Sequence, residues 1–336
     1  MNTYSNTGYA STQFLFMLIF ISAIIFGLGL YFNAYTRFEF RLKEKVQSRK
    51  AMEVLMELLL QDLTASNNLE IDCYEDPIWS WNKTIHEGYY ISITPLSDRL
   101  NINFLDDAFL ANSSLNYLFS TDSNPKELPQ FRHDVGLSFT TKQYLPFFSQ
   151  EILDAYFTSY GWANINCIDE FSAMNLAYAL TSSKEATEWI RSLIQELRVT
   201  KNSLSQTNLK MHLGNNYDKF YPYFNTEPLM NVNFIPSPIL KALITYPAYG
   251  ISRAEDKYWE ILERRALYGI SSNELMNTLS IDARSPLAHY LGSITWFWEI
   301  TLQGDAGSAR WVICRLPDTQ NSFENPQYIV IEKEYE

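Results

Sequence analysis

The sequence predicts an α+β protein: a long N-terminal α-helix that starts as a membrane-crossing segment and continues as a stem, an antiparallel sheet split between the two ends of the chain, and a large all-α domain inserted into it. Three observations carry this reading. Phe14 to Phe32 is a run without a charge. Apolar alternation at strand spacing occurs near residue 90 and returns after residue 293. The long interval between them is marked by helix-start signals instead.

With 336 residues the chain can bury a sizeable core, and 46% of it is hydrophobic, with 22 Tyr, 21 Phe and 8 Trp. Disordered segments are poor in these residues, so the head after the stem is a folded body. From residue 68 onward there are 20 Lys and Arg against 33 Asp and Glu, a charge of −13. That potential repels phosphate backbones and argues against a nucleic-acid partner. Cys73, Cys167 and Cys314 include no CxxC pair, so no zinc or thioredoxin-like motif is present. Their number leaves at least one thiol unpaired within the monomer, and either one disulfide among three pairings or three buried thiols is compatible with it.

The apolar run covers roughly 28 Å at ~1.5 Å per residue, close to the ~30 Å hydrocarbon core and longer than a secretory signal's apolar region. No helix breaker interrupts Asn33 to about Ser66, where Ala51, Leu55, Leu58, Leu59 and Asp62 fall at helical spacing. Anchor and stem are therefore expected to be one helix. Arg37, Arg41, Lys43, Lys45, Arg49 and Lys50 all follow the span, which by the positive-inside rule alone keeps the head in the cytoplasm. A short polar leader ending in Gly8, then Tyr9, points the other way. That arrangement is read by prepilin peptidases; an ordinary signal anchor in which Gly8 is incidental is the alternative.

In the head, Tyr89 to Thr94 and Arg99 to Phe104 alternate around Pro95-Leu-Ser-Asp98 and are expected to form a hairpin. Near the C-terminus Ile294, Trp296, Trp298, Ile300 and Leu302 share one strand face, Gly304-Asp-Ala-Gly307 turns the chain, Arg310 to Leu316 returns, and Tyr328 to Glu332 adds a third strand. The two regions are expected to pair into one sheet packed on the stem. Between them Ser182-Ser-Lys-Glu185, Ser252-Arg-Ala-Glu255 and Ser271-Ser-Asn-Glu274 read as capping boxes, and Ser237-Pro238 as another helix start. A short pattern recurs as Asn101-Ile-Asn103, Asn164-Ile-Asn166 and Asn231-Val-Asn233, read as packed turns in which the amide bonds to backbone where an extended segment becomes a helix. Gly250 and Gly269, each within a Tyr-Gly-Ile-Ser echo, sit where one helix ends.

The segment Asn231-Val-Asn-Phe-Ile-Pro-Ser-Pro-Ile-Leu-Lys-Ala-Leu243, followed by Gly250-Ile-Ser and the helix end at Arg264-Arg265, resembles the N-x-N-T-A-x-x-x-L-x-x-L signature of general secretion pathway protein K. That family is the large minor pseudopilin of type II secretion. The prepilin-like N-terminus, Arg99-Leu-Asn-Ile-Asn103 and the aromatic strands after Ser285-Pro-Leu-Ala-His-Tyr290 fall in the family's order, with Phe234 and Cys167 standing where it usually has Thr. The resemblance implies a leader at 1–8, a transmembrane and stem helix at 9–66, a pilin-like sheet from 67–106 and 286–336, and an inserted helical domain at 107–285. It implies a single-pass inner-membrane protein with a periplasmic head that caps a pseudopilus. Its partners would be other minor pseudopilins, the prepilin peptidase, the inner-membrane secretion platform and membrane lipid. It also implies calcium in the helical domain. No EF-hand loop exists, and Asp154, Asp169 and Glu170 are the ligand candidates, with a solvated helix face the favoured reading of all three. In pilins that stack in a filament, the fifth residue after the cut is Glu; here it is Gln13.

Catalytic motifs are absent from the sequence: His86, His133, His212 and His289 form no metal-binding pair, and no G-x-S-x-G, Walker or dinucleotide signature occurs. An assembly component is the expected class, not an enzyme. The alternative is a bitopic receptor or sensor with an extracytoplasmic ligand-binding head, which has no need of Gly8 or a split sheet.

Overall fold

The computed structural model describes residues 6–64, 71–110, 113–120, 123–138, 140–221, 223–317 and 327–336, with side chains described from Thr12 and, after residue 112, from Leu115. Residues 1–5 of the expected leader and the expected stem–sheet boundary at 66–67 lie outside these.

Helix α1 (Asn6–Thr64) is one uninterrupted helix of 59 residues. Every side chain from Thr12 to Gln47 is exposed, and Ser48 is the first that the head covers. From there Met52, Leu55, Met56, Leu59 and Leu63 are buried at helical spacing. The expected stripe is turned slightly: Leu58 is 41% exposed, because the sheet reaches the Met52/Met56 side of the helix. Asp62, expected within it, accepts a hydrogen bond from the Trp81 indole at the rim.

Strands β1 (Thr84–His86) and β2 (Tyr89–Pro95) form the hairpin, so the turn lies at Glu87-Gly88, before the expected one. Leu96–Asp98 is a 3-10 turn, and Arg99 to Phe104 does not fold back on β2. Instead the short β3 (Leu100–Asn101) runs parallel to β4 (Phe157–Thr158). The five-stranded sheet is completed by β9 (Phe297–Gly304), β10 (Gly307–Arg315) and β11 (Tyr328–Tyr335), in the order β1-β2-β9-β10-β11, antiparallel throughout. The two ends of the chain meet in one sheet through β2 and β9. Cross-strand rows Ile91–Leu302–Ala309 and Ile93–Ile300–Trp311 form the layer against α1, together with Trp298 and Ile313. This is the period-2 pattern used fully on one face.

Trp296 departs from the expectation. It packs with Leu96, Trp162, Phe297, Val312 and Cys314 on the opposite face. The Ser97 hydroxyl accepts from the N–H groups of both Trp296 and Phe297, and Thr295 N–H donates to Asp72, so the chain bends and regular alternation starts only at Phe297.

Between β2 and β9 the chain makes three successive loops of helices, each opened and closed by a two-residue parallel bridge. The first, β3 to β4, holds α2 (Asp107–Leu110), α3 (Leu128–Val135) and α4 (Gln150–Tyr156). The second runs from β5 (Ala163–Asn164) to β6 (Phe224–Asn225) and holds α5 (Glu170–Thr181), α6 (Lys184–Thr200), α7 (Gln206–Leu213) and α8 (Tyr217–Phe220). The third runs from β7 (Met230–Asn231) to β8 (Leu291–Gly292) and holds α9 (Ser237–Thr245), α10 (Ala254–Leu267), α11 (Ser272–Leu279) and α12 (Pro286–Tyr290). The first and third loops share one apolar core, whereas the second packs around a separate one to which Phe104 of the first contributes.

Of the expected capping boxes, Ser271 with Glu274 forms as read, with both reciprocal bonds. Ser183, one residue on, caps α6, because Ser182 is used as the left-handed end of α5. Arg253 in a left-handed conformation starts α10, and Glu255 pairs with Lys241 instead. Ser237 is the first residue of α9 and accepts from Arg265, so it is not the cap. The three cysteines are free thiols.

Candidate functional site

The N-terminal positions lie on α1. The backbone of Gly8 and Tyr9 is helical, and Gln13 is exposed on a helix whose apolar stretch is covered by none of the described residues. Among the described residues α1 is the one helix long and apolar enough to cross a membrane.

The six asparagines of the repeated pattern are brought into one recurring geometry. In each copy the first Asn accepts the N–H of the second through Oδ1 at 2.9 Å, closing a turn at the end of the short strand. The second Asn then pairs with both backbone groups of one distant residue, donating from Nδ2 to its carbonyl and accepting its N–H. Asn103 does this to Ser138, Asn166 to Leu204 and Asn233 to Ile270, with bonds of 2.8–3.1 Å. The partners lie 35, 38 and 37 residues downstream. A side-chain amide here substitutes for one rung of a β-ladder, with its donor and acceptor matched to a peptide's. The turns expected from the sequence are present, and each is also a long-range clamp.

The first Asn of a copy has a further task. Asn164 Nδ2 donates to the carbonyls of Thr226, Glu227 and His289, and Asn231 Nδ2 to Asp72 O and Thr295 Oγ1. Asn101 lies against Gly161, where an added Cβ would fall 2.4 Å from Nδ2. Each first Asn thus abuts the segment that follows a closing strand. Two loops also carry an arginine that ties the carbonyl two residues past the second Asn: Arg132 to Leu105 O and Arg265 to Ile235 O. Gly250 and Gly269 take positive φ at helix ends, at +65° and +75°. At Gly269 a Cβ would also meet that of Cys73 at 2.9 Å, so the third loop and the segment after the stem touch there.

The carboxylates proposed as metal ligands do not come together. Asp169 caps α5 through Oδ1 and receives Arg132 at 2.9 Å on Oδ2, Glu170 is held by Arg191 at 3.2 Å, and Asp154 accepts from Gln150 on a solvated face. A calcium site needs six or more oxygens without competing cations, so this donor set does not fit one. No cluster of three ligand-type side chains occurs among the described residues.

Sequence reasoning missed two buried polar groupings. Asp72 accepts from Thr295 N–H, faces Arg315 at 3.7 Å, and is pushed up to about 7 by burial, with Arg315 pulling the other way. Its backbone carbonyl receives both Asn231 and Asn233, so the segment after the stem, the third loop and the sheet converge on it. Ser203 Oγ lies 3.1 Å from His289 Nε2 beside a cavity of about 360 Å³. Burial lowers His289 to about 4, so the ring is neutral and only weakly basic at neutral pH. Neither grouping has a local signature: their members lie far apart in the chain and meet only in the fold.

No family model and no curated protein matches the chain. Among solved structures it is similar to a chain in the crystal structure of the GspK-GspI-GspJ complex from the enterotoxigenic Escherichia coli type 2 secretion system, with 14% identity, a TM-score of 0.37, and coverage of 90% of this chain and 99% of that one.

Proposed function

We propose that this chain is a minor pseudopilin of the general secretion pathway protein K type, an assembly component and not an enzyme, that caps the tip of a type II secretion pseudopilus and aids protein export. The observation that carries this is the division of α1. Its first part is apolar and exposed, its last turns are buried under an antiparallel sheet, and the bulky helical loops enter as an insertion between β2 and β9. Such a subunit can lend its bare helix to a helical stack while its head sits outside.

Gln13 supports the tip position. A subunit stacked beneath another would need a charge there to meet its neighbour's N-terminal amine inside hydrocarbon, and an amide leaves that ammonium unpaired. A subunit with nothing above it has no such requirement. In this reading a prepilin peptidase cuts after Gly8, α1 spans the inner membrane once, and the acidic head lies in the periplasm. Smaller minor pseudopilins and the inner-membrane secretion platform are its partners.

The test is the mass of the mature N-terminus in cells with a prepilin peptidase, together with co-purification. The expected result is a chain starting at Tyr9 in a defined heteromeric complex with smaller pseudopilins, and no polymer of this chain alone. An intact Met1, or gold label along pseudopilus shafts, overturns it.

A further inference from the structure

Between the membrane-crossing run and Ser48, α1 stands bare, and this stretch carries a basic row. Arg37 and Arg41 lie at i, i+4 on one face, followed on that row by Lys45 and Arg49. Their surroundings differ. Arg49 is stacked over the Tyr335 ring at 4.2 Å and lies 3.6 Å from Glu53, and Lys45 borders a groove that also holds Glu336. Lys43 on another face pairs with Glu39 at 2.9 Å. Arg37 and Arg41 have no partner among the described residues, and Glu39 and Glu44 are the acids on this stretch.

The depth of the two arginines follows from the helix. Tyr31 and Tyr35 are exposed, with rings stacked at 6.4 Å, the amphipathic pair expected at a membrane–water boundary. Arg37 lies ~7.5 Å beyond Phe32 along the axis and Arg41 ~14 Å beyond. Helical side chains lean toward the N-terminus, so the Arg41 guanidinium reaches back about one turn, ~5 Å. The headgroup layer is roughly 5–8 Å thick on each side, so the Arg37 guanidinium lies within it and the Arg41 guanidinium, ~9 Å out, lies at its outer edge, whereas Lys45 and Lys50 start ~19 Å or more beyond Phe32. Arginine forks match phosphate oxygens in pairs, which lysine cannot do.

We propose that Arg37 and Arg41 form a phosphate clamp for anionic phospholipid in the leaflet where α1 leaves the membrane. The proposal rests on the membrane-anchor reading of α1 and not on which machine the protein serves. It gives a use to basic residues that, if the head is exported, stand on the side the positive-inside rule disfavours.

The test uses the full chain in mild detergent, offered equimolar phosphatidylglycerol and phosphatidylcholine, with retained lipid counted by native mass spectrometry. The wild type should retain phosphatidylglycerol on the order of tenfold over phosphatidylcholine. The Arg37→Gln/Arg41→Gln variant should lose that preference while keeping the head's melting temperature, and Lys45→Gln/Lys50→Gln should keep it. A wild type without preference, a double-arginine variant that retains it, or its loss in the lysine variant overturns the clamp; the last result points to diffuse charge that would equally suit an acidic protein. If the wild type retains neither lipid and fails to enter nanodiscs, the anchor reading itself fails.

Discussion

The stem–sheet body and the helical loops are ordered by different means. In the body, apolar side chains from α1, β2, β9 and β10 interdigitate in period-2 rows, and the backbone is satisfied by its own ladder. In the loops, chain segments outside any ladder are held by asparagine amides, buried at Asn233 and half-buried at Asn166, that stand in for a peptide. Dispersion and burial tolerate some repacking, whereas an amide clamp has one geometry and leaves two backbone groups unpaired when removed. The body should therefore lose most from lost volume, and the loops from lost hydrogen bonds.

The largest effect is expected in the body. Trp298 is 1% exposed between the sheet and α1, and Trp298→Ala should cost about 3–5 kcal/mol in denaturant unfolding; a loss under 1 kcal/mol would place the sheet's stability elsewhere. Next come the clamps. Asn233→Ala should cost about 2–4 kcal/mol, because both Ile270 backbone groups are left buried, and Asn166→Ala about half that, since Asn166 is only half-buried and water can enter. Equal losses at the two sites would break the contrast drawn from burial.

Gly269→Ala should cost about 1–3 kcal/mol through positive φ and the approach to Cys73, and should loosen the third loop from the segment after the stem, seen as faster amide exchange near Ile270. Asp72 sits where body and loops meet, and its carboxyl is raised to about 7 in the fold. The folded chain binds its proton more tightly than the unfolded one, so this stabilisation is full below about pH 4 and disappears as pH rises through about 7. Asp72→Asn should flatten that slope, read as a smaller difference in melting temperature between pH 5 and pH 8. The smallest effect is expected on the solvated face of α4: Asp154→Ala should change stability by less than about 0.5 kcal/mol, with calcium or with chelator.

Legibility followed the range of the interactions. The capping box at Ser271 and Glu274, the turn at Gly304 to Gly307 and the strands of the C-terminal meander are local, and the sequence patterns locate them. The expected hairpin turn lies several residues too late because alternation on both sides of Pro95-Leu-Ser-Asp98 suggests a strand returning there, whereas Leu96–Asp98 forms a 3-10 turn whose Ser97 hydroxyl accepts from Trp296 and Phe297, and the chain leaves the sheet. The asparagine repeats were visible as turns, but their reach was not. Ser138, Leu204 and Ile270 share no side-chain chemistry because the clamp binds their backbone, so no residue type marks the far end.

What the sequence by itself determined is what depends on near neighbours: the uncharged run long enough for a bilayer, the continuity of anchor and stem, the shared face of Trp298, Ile300 and Leu302, and the helix start at Ser271. Only the tertiary structure decided which short strands pair in parallel, that the first and third loops share a core, and that Asp72 joins body to loops. Those depend on residues scores of positions apart arriving at one point, and a buried hydrogen bond or ion pair acquires its value only once the fold has removed water from around it.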